Sequence, residues 1–110
     1  MNMNLPTPLT DLRRRAPEAR ATIRAVVDEL VGPAEIRYEF HREWNGCWKV
    51  RTAIGAGGNL EFTLLDTPGG GMLALPRPLP ARLRDELGVK ASDGSRWTLD
   101  ANGALIPFSK

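Results

Sequence analysis

The stretch from Glu35 to Leu64 alternates between apolar and polar residues, and this constrains the fold more than any other feature. Ile36, Tyr38, Phe40 and Trp44 fall on one side, and Glu35, Arg37, Glu39, His41 and Glu43 on the other. Successive side chains of a strand point to opposite faces, so this segment reads as a half-buried strand. Arg42 interrupts the apolar side and reads as a cation snorkelling at its edge. Trp48, Val50, Thr52 and Ile54 form a second inward set, with Lys49, Arg51 and Ala53 outward. Leu60, Phe62 and Leu64 form a third, with Glu61 and Thr63 outward. Short connections between such strands predict an antiparallel sheet with one apolar and one polar face.

The first turn is tested by register. A two-residue Asn45-Gly46 turn would set the apolar face of one strand against the polar face of the next, which a buried face forbids. A three-residue loop, Asn45-Gly46-Cys47, removes the conflict. It predicts Trp44 opposite Trp48, Phe40 opposite Thr52, Tyr38 opposite Ile54 and Glu43 opposite Lys49. At the far end, Asn102-Gly103 suits a two-residue turn that pairs Trp97 with Phe108, Leu99 with Ile106 and Ala101 with Ala104.

Two helices are punctuated in the sequence. Leu12, Ala16, Ala19, Ile23, Val26, Val27 and Leu30 recur mostly three or four apart. Pro17 suits a first helical position and Glu18 the positive end of the dipole. Gly32 and Pro33 end the element, and the sequence leaves open whether residues 10–16 join it. Leu79, Leu83 and Leu87 predict a short helix over 80–87, closed by Gly88. Met72 to Leu75 is a short apolar run that suits a fourth strand. The expected architecture is a single α+β domain over residues 10–110, preceded by an irregular arm over 1–9. A meander and a C-terminal hairpin form the sheet, helices cover one face, and the other meets water or a partner.

Charge bounds the partners. Fifteen basic and thirteen acidic residues leave a net charge of +2, although the pI is near 9.1. The cations are interleaved with carboxylates, unlike the one-sided basic face of a nucleic-acid binder. Cys47 is the single cysteine, so no intramolecular disulfide forms, which fits a reducing compartment. No apolar stretch approaches a membrane span and the first residues lack a signal-peptide pattern, so a cytoplasmic protein is expected, without membrane contact.

The sequence does not assemble a catalytic or metal constellation. His41 is the only histidine, and Cys47 falls in a turn away from it, out of reach for a nucleophile and its base. One His and one Cys fall short of a zinc site. The glycine runs 55–58 and 69–71 lack the strand-to-helix context of a phosphate loop. Glu35, Glu39, Glu43 and Glu61 share their face with Arg37, Lys49 and Arg51, which reads as a solvated or contact surface rather than a tuned acid–base pair. Pro76-Arg77-Pro78-Leu79-Pro80 reads as the entry to a helix. No cofactor and no enzymatic activity are expected.

These readings favour a protein-binding module, a monomer or weak dimer. Its candidate contact residues are Arg37, Glu39, His41, Glu43, Trp44, Trp48, Lys49, Arg51 and Glu61, with the two tryptophans as anchors near a hairpin tip. The alternative is a nucleic-acid binder using Arg37, Arg42, Lys49 and Arg51 with Trp44 and Trp48.

A family resemblance sharpens the first reading. It rests on the Tyr-containing strand Ile36-Arg37-Tyr38-Glu39-Phe40 after an N-terminal helix, the Leu-rich helix Leu83-Arg84-Asp85-Glu86-Leu87, and the closing Trp97-Thr98-Leu99-Asp100-Ala101-Asn102-Gly103. Over residues 18–106 this order resembles the small immunity proteins of the YezG type, which bind and neutralise bacterial polymorphic toxins. The resemblance implies a secreted toxin domain as partner and occlusion of its site as mechanism. The basic balance departs from the acidic character common among immunity proteins to nucleases. The element order is also similar to small secretion chaperones, although their further C-terminal helix has no counterpart here.

Overall fold

In the computed structural model, residues 7–8, 12–43, 47–55 and 58–109 are described. The alternating stretch forms three strands, β2 (Ile36–Arg42), β3 (Trp48–Ile54) and β4 (Asn59–Asp66), after a short β1 (Thr7–Pro8) and a helix α1 (Ala16–Leu30). The strand β5 (Met72–Arg77), a single π-type helical turn (Leu83–Leu87), and β6 (Val89–Lys90), β7 (Arg96–Leu99) and β8 (Leu105–Pro107) complete the order. The fold is α+β, with two antiparallel sheets. The larger runs β5-β4-β3-β2, with β1 also on β4, and the smaller runs β6-β7-β8. The expected irregular arm is thus corrected at Thr7–Pro8, which pair with Asp66 and Leu65.

Helix α1 starts where its sequence permits. Pro17 occupies the first turn, where its missing N–H leaves no helical bond unmade. Residues 13–15 form a turn before the helix rather than part of it. Ala19, Ile23, Val26 and Val27 form the buried stripe. Thr22, buried in the same stripe, satisfies its hydroxyl by donating to Glu18 O at 2.7 Å. Gly32 takes a φ of 85°, a conformation that closes the helix at little cost only for glycine.

The helix lies across the inner face of the larger sheet. Tyr38 Oη donates to Arg20 O at 3.4 Å, and the Arg20 guanidinium stands 5.6 Å from the Phe40 ring centre. Ala19, Ile23, Val26 and Val27 share one core with Val50, Phe62, Leu64, Met72 and Ala74. Fully burying each large side chain contributes about 1.5–3 kcal/mol, so this contact dominates the fold.

Two registers differ from expectation. Phe40 faces Val50, Tyr38 faces Thr52, and Trp48 faces Arg42 rather than Trp44. Glu43 N donates to Cys47 O at 2.8 Å, so Glu43 does not stand opposite Lys49. The shift is two residues. An even shift keeps every side chain on its face, so alternation cannot detect it. Trp44, Asn45 and Gly46 lie outside the described residues, whereas Cys47, expected in the turn, stands opposite Glu43 through its carbonyl.

In the C-terminal hairpin Trp97 faces Pro107, Thr98 faces Ile106 and Leu99 faces Leu105, a slip of one residue from the expected pairing. Asp100 Oδ1 accepts from Asn102 N and Ala104 N at 2.8 and 2.9 Å, and Gly103 turns at a φ of 81°. The Asp100 side chain thus organises a three-residue loop in place of the two-residue turn.

The second helical element is a correction of another kind. It packs on β7 of the smaller sheet, where Thr98 Oγ1 donates to Arg84 O at 2.8 Å. Gly88 N donates to Leu83 O at 2.6 Å, the five-residue step of a π turn. The strand β6 that follows had no counterpart in the sequence reading.

The outer face of the larger sheet is divided. Thr63, Leu65, Leu73 and Leu75 point outward by pairing, yet all are buried. The expectation of a wholly open polar face therefore fails at the β4–β5 end. The part nearer β2 and β3 is accessible, together with Glu61 and Arg77 at the adjoining ends of β4 and β5.

Candidate functional site

On the open part of the outer face, strand register sets charges in rows. Glu39, Arg51, Glu61 and Arg77 stand side by side on β2, β3, β4 and β5. They alternate in sign across the whole sheet. His41 and Lys49 stand opposite one another in the next row. Arg51 Nε lies 3.7 Å from Glu61 Oε2, while Lys49 Nζ lies 3.8 Å from Glu43 Oε1 and 4.0 Å from Glu61 Oε1. These are loose, solvent-screened pairs, each worth well under about 1 kcal/mol. His41 Nε2 approaches Glu39 Oε1 at 2.5 Å. A groove of about 760 Å³ runs along this ladder, lined by Arg37, Glu39, Arg51, Asn59, Glu61 and Arg77 among others.

The structure brings together Arg37, Glu39, His41, Lys49, Arg51 and Glu61, with Glu43 reaching the set through Lys49. Trp48 does not belong to it. It lies on the inner face, where the Arg42 guanidinium stands 5.7 Å from its ring centre. The alternative set of Arg37, Arg42, Lys49 and Arg51 with Trp48 is thus split between two faces, because Arg42 and Trp48 occupy even positions and the others odd ones. Trp44, the other proposed anchor, lies outside the described residues. Arg77 is a ladder member that the sequence reading missed. Its neighbours Pro76 and Pro78 pointed to a helix entry and hid the end of β5.

A second surface was also missed. Where α1 begins, a cleft of about 750 Å³ is lined by Leu12, Arg13, Arg14, Ala16, Arg20, Phe40, Arg42 and Trp48. Four of these are arginines, and no carboxylate lines the cleft among the described residues. Arg13, Arg14 and Arg15 are consecutive in the sequence, but only the packing of α1 over β2 brings Arg42 to them and to Arg20.

The third arginine of that run behaves differently. Arg15 donates to Glu18 at 2.9 Å and also to Asp66 on β4. Ser92 Oγ, from the loop after β6, donates to the same Glu18 carboxylate. The hydrogen bond from Arg15 holds the Glu18 carboxyl below its ordinary range, and the one from Ser92 adds to this. The Arg15 guanidinium is correspondingly raised, first by Glu18. This cluster ties the helix start to both sheets.

Among the described residues, no group of three or more His, Cys, Asp and Glu is placed to hold a metal ion. No helix of the described chain is long and apolar enough to cross a membrane. Compared with known proteins, the chain matches no family model, no curated protein and no solved structure.

Proposed function

We propose that this chain is a small non-catalytic protein-binding module. Its most concrete form is a bacterial immunity-type protein that neutralises a partner toxin by occluding the toxin's functional site. One observation carries the reading: the charge ladder Glu39–Arg51–Glu61–Arg77 lies in an accessible groove on four paired strands. Such a surface is preorganised, since its side chains are spaced by strand register rather than by a mobile loop. Alternating signs at fixed spacing favour a partner with the complementary order and disfavour others.

The test is affinity capture by tagged protein at low and high salt, with nuclease treatment, followed by co-expression with the captured protein. The expected result is one stoichiometric protein that survives both treatments, whose activity is suppressed by this chain. Arg37→Glu and Arg51→Glu should slow its association. An unchanged association rate and affinity in both variants would remove the ladder from the interface. Capture that disappears with nuclease would replace the reading with nucleic-acid binding.

A further inference from the structure

We infer that the arginine cleft at the start of α1 is a binding site for an acidic peptide segment, one that carries carboxylates beside apolar side chains. The inference rests on the reading of this chain as a protein-binding module and adds a second, chemically distinct contact to it.

Charge comes first. Arg13, Arg14, Arg20 and Arg42 converge on one cleft, and no Asp or Glu lines it among the described residues. Elsewhere the molecule interleaves its signs, so this one-sign concavity is a local departure. Low-dielectric walls around like charges focus the field and raise the local concentration of an oppositely charged ligand.

The state of the guanidinium groups comes second. Arg20 and Arg42 stand 5.6 and 5.7 Å from the ring centres of Phe40 and Trp48. A guanidinium held by a ring is positioned by cation–π attraction, yet its N–H donors are not committed to an anion. Arg15, only a few residues away, has committed its donors to Glu18 and Asp66. Arg20 and Arg42 therefore keep the paired N–H geometry that grips a carboxylate with two parallel bonds.

The floor supplies the rest. Leu12, Ala16, Phe40 and Trp48 give an apolar surface beside the charges. A carboxylate with an apolar neighbour matches this combination. A nucleic-acid strand matches it less well. Its bases need open ring faces, and both rings already carry a guanidinium. Its backbone needs a track of cations, and the ladder on the outer face alternates in sign.

The test is fluorescence anisotropy on the intact chain with three labelled probes. These are an end-blocked octapeptide of alternating Asp and Leu, the same peptide with Asn for Asp, and a thymidine oligonucleotide of equal charge. The Asp-Leu peptide should bind at least about tenfold tighter than either other probe, the margin of one charge-assisted contact pair. Arg20→Glu and Arg42→Glu, both at exposed positions, should each weaken it about tenfold. Arg51→Glu, on the opposite face, should leave it unchanged. An unchanged thermal midpoint in each variant separates lost binding from lost folding.

Equal binding of the Asp and Asn peptides would overturn the inference, as would insensitivity to both cleft variants. Preference for the oligonucleotide would overturn it in favour of phosphate recognition. The probes do not involve the outer-face ladder. Failure here therefore leaves partner capture through Arg37 and Arg51 standing, and failure of that capture leaves the peptide result standing.

Discussion

The two charged surfaces of this molecule solve opposite problems. On the outer face each cation of the central row has a carboxylate beside it, at loose distances such as 3.7 Å between Arg51 and Glu61. In the cleft four cations gather without a carboxylate among the described lining residues, and aromatic rings hold two of them. The ladder is nearly neutral at a distance, so on the proposed reading it would discriminate on contact, through the order of its signs. The charge of the cleft reaches several ångströms, which would favour encounter with the acidic segment proposed for it. The difference teaches that basic balance is a poor guide to function here. A net charge of +2 conceals one neutralised surface and one concentrated one.

The comparison can be broken most severely from beneath. Phe62 is fully buried on β4, and its strand neighbour Glu61 stands in the ladder. Phe62→Ala should destabilise the fold by about 3–5 kcal/mol, read from denaturant midpoints. Both surfaces should then lose binding together, because they share one scaffold. Selective loss of one would show that they are supported separately.

The next effect belongs to the ladder. Arg51→Glu places three carboxylates in one row, Glu39, the new side chain and Glu61. Like charges directly opposite across strands should cost up to about 1 kcal/mol. Reversing the whole row, Glu39→Arg, Arg51→Glu, Glu61→Arg and Arg77→Glu, should recover most of it, because alternation is then restored. A null effect in low salt would show that water already screens the row.

Acid sharpens the contrast within the arginine run. The fold depresses the Glu18 carboxyl, so its contribution is fully present above the unfolded carboxyl value of about 4.3 and is lost as pH falls through the lower folded value. The stability gap between the wild type and Glu18→Gln should therefore be constant near neutral pH and close on acidification. A gap that persists at low pH would mean that Glu18 acts by packing alone.

The smallest effect is the most diagnostic. Arg42→Glu in the cleft should change stability by only a few tenths of a kcal/mol, because lost cation–π attraction is offset by relief of like-charge crowding. A matching loss for Arg42→Glu and Arg51→Glu would erase the distinction between the two surfaces.

Much of the scaffold is legible in the sequence. Period two marks Ile36 to Leu64, and the spacing of Ala19, Ile23, Val26 and Val27 marks the helix. Registers are less legible. Alternation is blind to an even slip, and the local chemistry of Asp100 decided the last hairpin. The division of the outer face was written in the sequence as continuous apolar runs, Leu64-Leu65 and Met72 to Leu75, which signal burial on both faces. Six of the expected contact residues, from Arg37 to Glu61, do share a face, since parity alone places them. The cleft was not legible, because Arg13 and Arg42 meet only when the helix is laid over β2.

Pro76 on β5 has a consequence for self-association. It lacks an N–H, and Met72 at the other end of that strand is already bonded in both directions to Ser92, with Met72 N donating to Ser92 Oγ and Met72 O accepting from Ser92 N. A foreign strand therefore finds one flank of the sheet poorly equipped to accept it. The other flank is β2, whose outward side chains include Arg37, Glu39 and His41. Growth of the larger sheet into a fibril is blunted at β5 by one missing donor and the Met72–Ser92 bonds, and at β2 by charge.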